Sequence, residues 1–142
     1  MDIMACLPRG KHDFEAVNKL NEFSNEELRV IIPELMEWLQ DGNWPISKPV
    51  EDLLLRLGED LIPYIKDVLQ TQDPQWEYFI LVGLIDRLSI SHLSMLHTDL
   101  VRILESPTPS EVLEELDEVI VELLEKMEIH QREISEEGSL DT

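Results

Sequence analysis

With 142 residues, 43% of them hydrophobic and 30% charged, the chain has the size and composition of one globular domain able to bury a core without disulfides or metals. Its 11 Lys and Arg stand against 31 Asp and Glu, a formal net charge of −20 that argues against nucleic acid and anionic membrane as partners and would steer a basic protein toward it. The one cysteine, Cys6, excludes an intrachain disulfide.

The acidity also has a plainer explanation in solubility alone. The N-terminus, Met1 to Pro8, lacks the basic start and long apolar stretch of a signal peptide. The longest apolar run, Tyr78 to Ile85, falls far short of the roughly 18 residues that span a membrane. The expectation is a soluble, cytoplasmic protein.

Helix signals recur along the chain and strand signals hardly occur. Asp13 caps a first helix to about Phe23, with Phe14, Val17 and Leu20 at inward spacing. Ser24 with Glu27 three residues on forms a capping box for a second, which Pro33 kinks or restarts. Asp41 to Pro45 is a turn, and Pro49 opens a third helix that Gly58 closes. A fourth runs from about Glu59 to Gln70. Asp73 and Pro74 begin a fifth, which is apolar on most sides and should therefore be central and largely buried.

Ser91 is the expected cap of a sixth helix through Leu104. Thr108-Pro109-Ser110-Glu111 is a second capping box, opening a last helix to about Arg132 with residues 135–142 as an acidic, frayed tail. That helix carries Leu113, Leu116, Ile120, Leu123, Met127, His130 and Ile134 at alternating steps of three and four. The stripe fits a capping helix packed on the preceding elements, with a dimer helix as the alternative. Twelve acids against two bases from Glu111 to Thr142 give it a polar outer face.

An internal echo narrows the architecture. Ile31-Ile32-Pro33-Glu34-Leu35 and Leu61-Ile62-Pro63-Tyr64-Ile65 share one pattern at an offset of 30, kept by Leu39 and Leu69. Paired helices at such a period predict an all-α fold, a short HEAT-like α-solenoid of about seven helices in antiparallel pairs, over residues 1–134. A helical bundle without repeats is the competing architecture.

The segment Trp38-Leu39-Gln40-Asp41-Gly42-Asn43-Trp44-Pro45 resembles an uncharacterised bacterial family of small HEAT-like helical domains, domain of unknown function 5071. The likeness extends from Leu7-Pro8 through the Asp73 to Trp76 turn to Ser106-Pro107-Thr108-Pro109. The family has no established activity, so the resemblance implies a fold and little more.

Candidate chemistry is sparse. His12, His92, His97 and His130 have no metal-ligand spacing, the five glycines are scattered singly, and no nucleophile elbow occurs. Neither a metal, a cofactor nor a catalytic residue is expected, and the chain reads as a non-enzyme. The best site candidate is the turn: Trp38, Asp41, Asn43, Trp44 and Trp76 are expected to gather as an aromatic anchor for a partner protein. The same residues also describe a rigid turn without function. The leading functional expectation is a non-catalytic protein-interaction module, monomeric, in its sharper form an acidic immunity-type inhibitor of a basic toxin domain. The alternative is an enzyme with an unfamiliar site in a helical cleft, marked by a buried carboxylate pair of raised pKa.

Overall fold

The computed structural model describes residues 2–71 and 73–140, with the backbone alone for residues 134–140. Among these residues there is no strand. Ten α-helices follow in order: α1 (Phe14–Leu20), α2 (Asn25–Leu28), α3 (Ile32–Glu37), α4 (Ser47–Leu55), α5 (Ile62–Val68), α6 (Pro74–Gly83), α7 (Ile90–Ser94), α8 (His97–Glu105), α9 (Pro109–Leu113) and α10 (Asp117–Leu140).

The helix starts follow from local chemistry. Asp13, Ser24, Asp73 and Thr108 each accept a backbone N–H of the first turn, and Ser24 and Thr108 complete reciprocal capping boxes with Glu27 and Glu111. The two echoed prolines act alike. Each is the second residue of an α-helix that restarts directly after a 3-10 turn, Arg29–Ile31 before α3 and Gly58–Leu61 before α5. Proline there lacks only an N–H that the helix start would leave unbonded anyway.

Several expected boundaries move. The expected sixth helix is two, with Ser89 rather than Ser91 as the first cap, because the chain turns at Met95 and Leu96 to bury Leu93, Leu96 and Leu100 together. The last helix is also two. Glu115 adopts φ +53, which breaks α9 from α10 and leaves Leu113 84% exposed while Leu116 goes into the core. Of the expected stripe, Leu116, Ile120, Leu123 and Met127 are buried and His130 is half-buried, whereas the side chain of Ile134 lies outside the described residues. The α10 backbone continues to Leu140, past Arg132, with Asp141 and Thr142 outside the described residues.

The fifth expected helix, α6, ends at Gly83 and is less enclosed than its composition suggests. Ile80 and Leu81 are buried, but Tyr78 and Phe79 are half-buried and Val82 is exposed. The N-terminal segment forms a capped 3-10 turn over Ile3–Cys6 that places Cys6 in the core.

Packing joins helices up to four elements apart in the chain. Helix α4 packs on α1 and α3, α3 on α5, α5 on α6, and α10 lies across α6, α7 and α8. One continuous aliphatic core joins Leu20, Leu35, Leu54, Ile65, Ile80 and Leu100. Basic side chains add ties across the helices. Arg29 reaches Asp60 at 2.7 Å, Arg87 reaches Asp52 at 2.6 Å, Lys66 reaches Asp99 at 3.6 Å, and Lys126 donates to the Asp86 carbonyl at 2.8 Å. Arg56 donates to the Asn21 and Phe23 carbonyls and to the Asn25 side chain.

Candidate functional site

The turn after α3 is built by its own polar groups. The Asn43 N–H donates to the Asp41 carboxylate at 2.9 Å, and the Trp44 N–H donates to the Asp41 carbonyl at 3.1 Å. The buried Ser47 hydroxyl lies 2.8 Å from the Trp38 carbonyl and 2.7 Å from that of Asp41, so one proton serves two acceptors. Gly42 is needed for space rather than for positive φ: a Cβ there would overlap the Phe79 ring of α6.

This turn sets Trp44 edge-to-face on Trp38, with ring centroids 5.7 Å apart and planes at 68°. Both rings are half-buried and line a groove of about 360 Å³ with Leu7, Pro8, Glu34, Glu37 and Gln40. One carboxylate oxygen of Glu34, Oε2, is buried with no hydrogen-bond partner. The five residues singled out in the sequence therefore separate by role. Trp38 and Trp44 meet in the groove, and Asp41 and Asn43 shape the turn. Trp76 does not line the groove; its indole N–H donates to the Met36 carbonyl at 3.2 Å and ties α6 to α3.

A second cluster escapes sequence reasoning. Glu77 of α6 is fully buried, and its carboxyl is paired with that of Glu111. It shares a cavity of about 300 Å³ with Leu69, Gln70, Arg102, Thr108 and Glu111. Arg102 of α8 grips Glu111 of α9 with both terminal nitrogens, at 2.8 and 3.3 Å, and also donates to the Leu69 carbonyl at 2.9 Å. The Thr108 N–H adds a bond to Glu111 at 2.8 Å.

The two carboxyls titrate in opposite directions. Burial first, then the neighbouring Glu111 carboxylate, push Glu77 up to about 8 against a weaker opposing pull from Arg102. Burial alone would raise Glu111 too, but Arg102 and the Thr108 N–H outweigh it and hold that carboxyl below its usual range. Glu77 is thus the protonated partner of the pair at neutral pH, and Glu111 the ionised one. The sequence carried one faint sign of this: Glu77 is a lone acid between Trp76 and Tyr78 on a helix otherwise apolar on most sides.

A third acid, Glu51 of α4, is also buried and its carboxyl is raised by burial, an effect that Arg87 at 3.6 Å partly offsets. Among the described residues, no group of three or more His, Cys, Asp or Glu side chains is placed to hold a metal ion. No helix among them is long and apolar enough to cross a membrane.

The family model described as domain of unknown function (DUF5071) matches residues 6–124, and the chain belongs to that family. The match includes both Trp-lined groove and Glu77 cavity and stops within α10. No curated protein matches the chain.

Proposed function

We propose that this DUF5071 member is a non-catalytic protein-binding module of HEAT-like build, whose Trp38–Trp44 groove receives a basic side chain of a partner protein. The observation that carries the reading is the groove itself: two half-exposed indole rings beside Glu34, which keeps a buried oxygen without a donor. A guanidinium or ammonium group would stack on indole and donate to that oxygen at once, and such contacts are worth about 0.5–2 kcal/mol according to their exposure. The net charge of −20 would speed the encounter with a basic surface. An immunity-type inhibitor of a basic toxin domain, acting as a cytoplasmic monomer, is the sharper form of the reading.

The solenoid form has its own support. The two proline restarts have the same local build at an offset of 30. The test is capture of partners from the native cell by the wild-type chain and by Trp44→Ala, followed by association kinetics at low and high salt. Partners that are basic, lost with Trp44→Ala and slower to associate in salt are expected. Binding that ignores both changes would overturn the reading.

An enzyme is the second reading, and the Glu77–Glu111 pair favours it. A neutral carboxyl beside an ionised one is the arrangement that lets one acid donate a proton while its neighbour stays charged. Turnover of a substrate abolished by Glu77→Gln, with the fold intact, would select this reading over the first.

A further inference from the structure

We propose that the groove between α8, α9 and the start of α10 docks a basic amphipathic helix of a partner protein, with apolar anchors inward and lysines or arginines over the rim. The inference shares no residue with the Trp-lined groove, so either can fail without the other.

The break at Glu115 creates this surface. Without it, α9 and α10 would form one helix with Leu113 on the same face as Leu116 and Ile120, and that face is buried. The φ of +53 at Glu115 ends α9 first, so Leu116 and Ile120 enter the core while Val112 and Leu113 stay outside, 59% and 84% exposed. Val112 lines a groove of about 530 Å³ with Ile103, Leu104, Pro107 and Leu116, and Leu113 is the next residue in the chain. Single apolar residues on a surface are ordinary, but an exposed pair at an apolar groove has the form of a contact site.

The charges around the groove decide what covers it. Glu115, Asp117 and Glu118 line it and are exposed, and among the described residues no ion pair engages them. Buried Glu111, which also lines it, is already held by Arg102. No Lys, Arg or His occurs from Ile103 to Glu125, so this stretch supplies no cation of its own. A second copy would bring the same acidic rim and a further net charge of −20. An anionic lipid surface would meet the same repulsion. A segment with an apolar side flanked by lysines or arginines answers both halves of the groove: it covers the aliphatic lining and sets cations against the unpaired carboxylates. A helix is the fitting form. Among the described residues there is no strand edge for an extended peptide to join, whereas a helix satisfies its own backbone and offers anchors at three- and four-residue spacing.

The experiment is fluorescence anisotropy of the full chain with two labelled peptides of about 15 residues, long enough to form a helix on the surface. Both consist of leucine and lysine in the same proportions. One has its leucines at helical spacing, and the other is scrambled so that no apolar face forms. The patterned peptide is expected to bind at least about tenfold tighter than the scrambled one, and to lose about tenfold when Val112→Ser and Leu113→Ser are combined. Both side chains are exposed, so the fold should survive the change, and circular dichroism checks that it does. Glu115→Gln with Glu118→Gln should weaken binding and flatten its salt dependence, and Trp44→Ala should leave it unchanged. On the wild-type chain, methyl NMR shifts caused by the patterned peptide should centre on Leu104, Val112 and Leu116, which keeps the test independent of any variant. No binding, or methyl shifts elsewhere, would overturn the proposal. Equal binding of both peptides, or indifference to the Val112→Ser and Leu113→Ser changes, would overturn it too and mark the peptides as counterions of the acidic surface. A dimer in sedimentation that Leu113→Ser disperses would give the groove to a second copy and overturn it as well.

Discussion

Replacing Glu77 by glutamine should change how the protein's stability depends on pH far more than it changes its shape. In the folded chain this carboxyl titrates near 8, against 4.5 for the ordinary group. Between those values the folded state holds a proton that the unfolded state has lost, so stability falls as pH rises. From pH 6 to pH 8 the linkage amounts to about 2 kcal/mol lost through this one residue. Glutamine cannot ionise and fills nearly the same space. Urea unfolding followed by circular dichroism at pH 6, 7 and 8 should show the wild type losing that much relative to Glu77→Gln. Glu111 works in the other direction: its lowered carboxyl contributes stability above its ordinary 4.5 that is lost as pH falls through the folded value. Both chains should therefore still weaken in acid. Wild type and variant losing stability in parallel from pH 6 to pH 8 would refute the buried-acid argument.

Other changes test other parts of the molecule. Trp44→Ala should weaken partner binding by about 2 kcal/mol while moving the melting temperature little, because the ring is half-exposed; a loss of about 3–5 kcal/mol in stability would instead make it a core residue. Arg102→Ala leaves the Glu111 charge buried and should cost about 2 kcal/mol by urea unfolding, low for a buried pair because Arg102 keeps 37% of its side chain in water. Adding Glu111→Gln should restore part of that loss. Thr108→Ala removes the α9 cap and should cost about 1 kcal/mol in the same assay. Gly58→Ala forces a side chain to φ +54 with its Cβ 3.0 Å from the His92 ring, and should cost about 1–2 kcal/mol.

What the sequence revealed and what it hid divides along the range of the interactions. Caps are local: an acceptor side chain and the first-turn N–H it receives lie within four residues, so Asp13, Ser24, Asp73 and Thr108 were legible. The breaks at Leu96 and Glu115 were not. No glycine or proline marks them, and Glu115 takes its left-handed φ because the core claims Leu116 and Ile120. The Trp38–Trp44 contact was half-legible, since a short turn returns the chain on itself. The place of Trp76 was not legible, because its partner, the Met36 carbonyl, lies 40 residues away. The Glu77 cavity needs three helices to meet, and among 31 acids nothing local marks the pair that will face each other.

The basic ties of the fold share a reach. Arg29 to Asp60 spans 31 residues, Arg102 to Leu69 spans 33, Arg87 to Asp52 spans 35, and Lys126 to Asp86 spans 40. Each fastens a segment to the one about a helix pair away, and none of these ties links the first helices to the last. Singly such contacts are weak, but their shared stride acts as a rule of assembly. The loss of any one of them therefore leaves the fastenings elsewhere in place, and its effect should be felt first in the two stretches it joins.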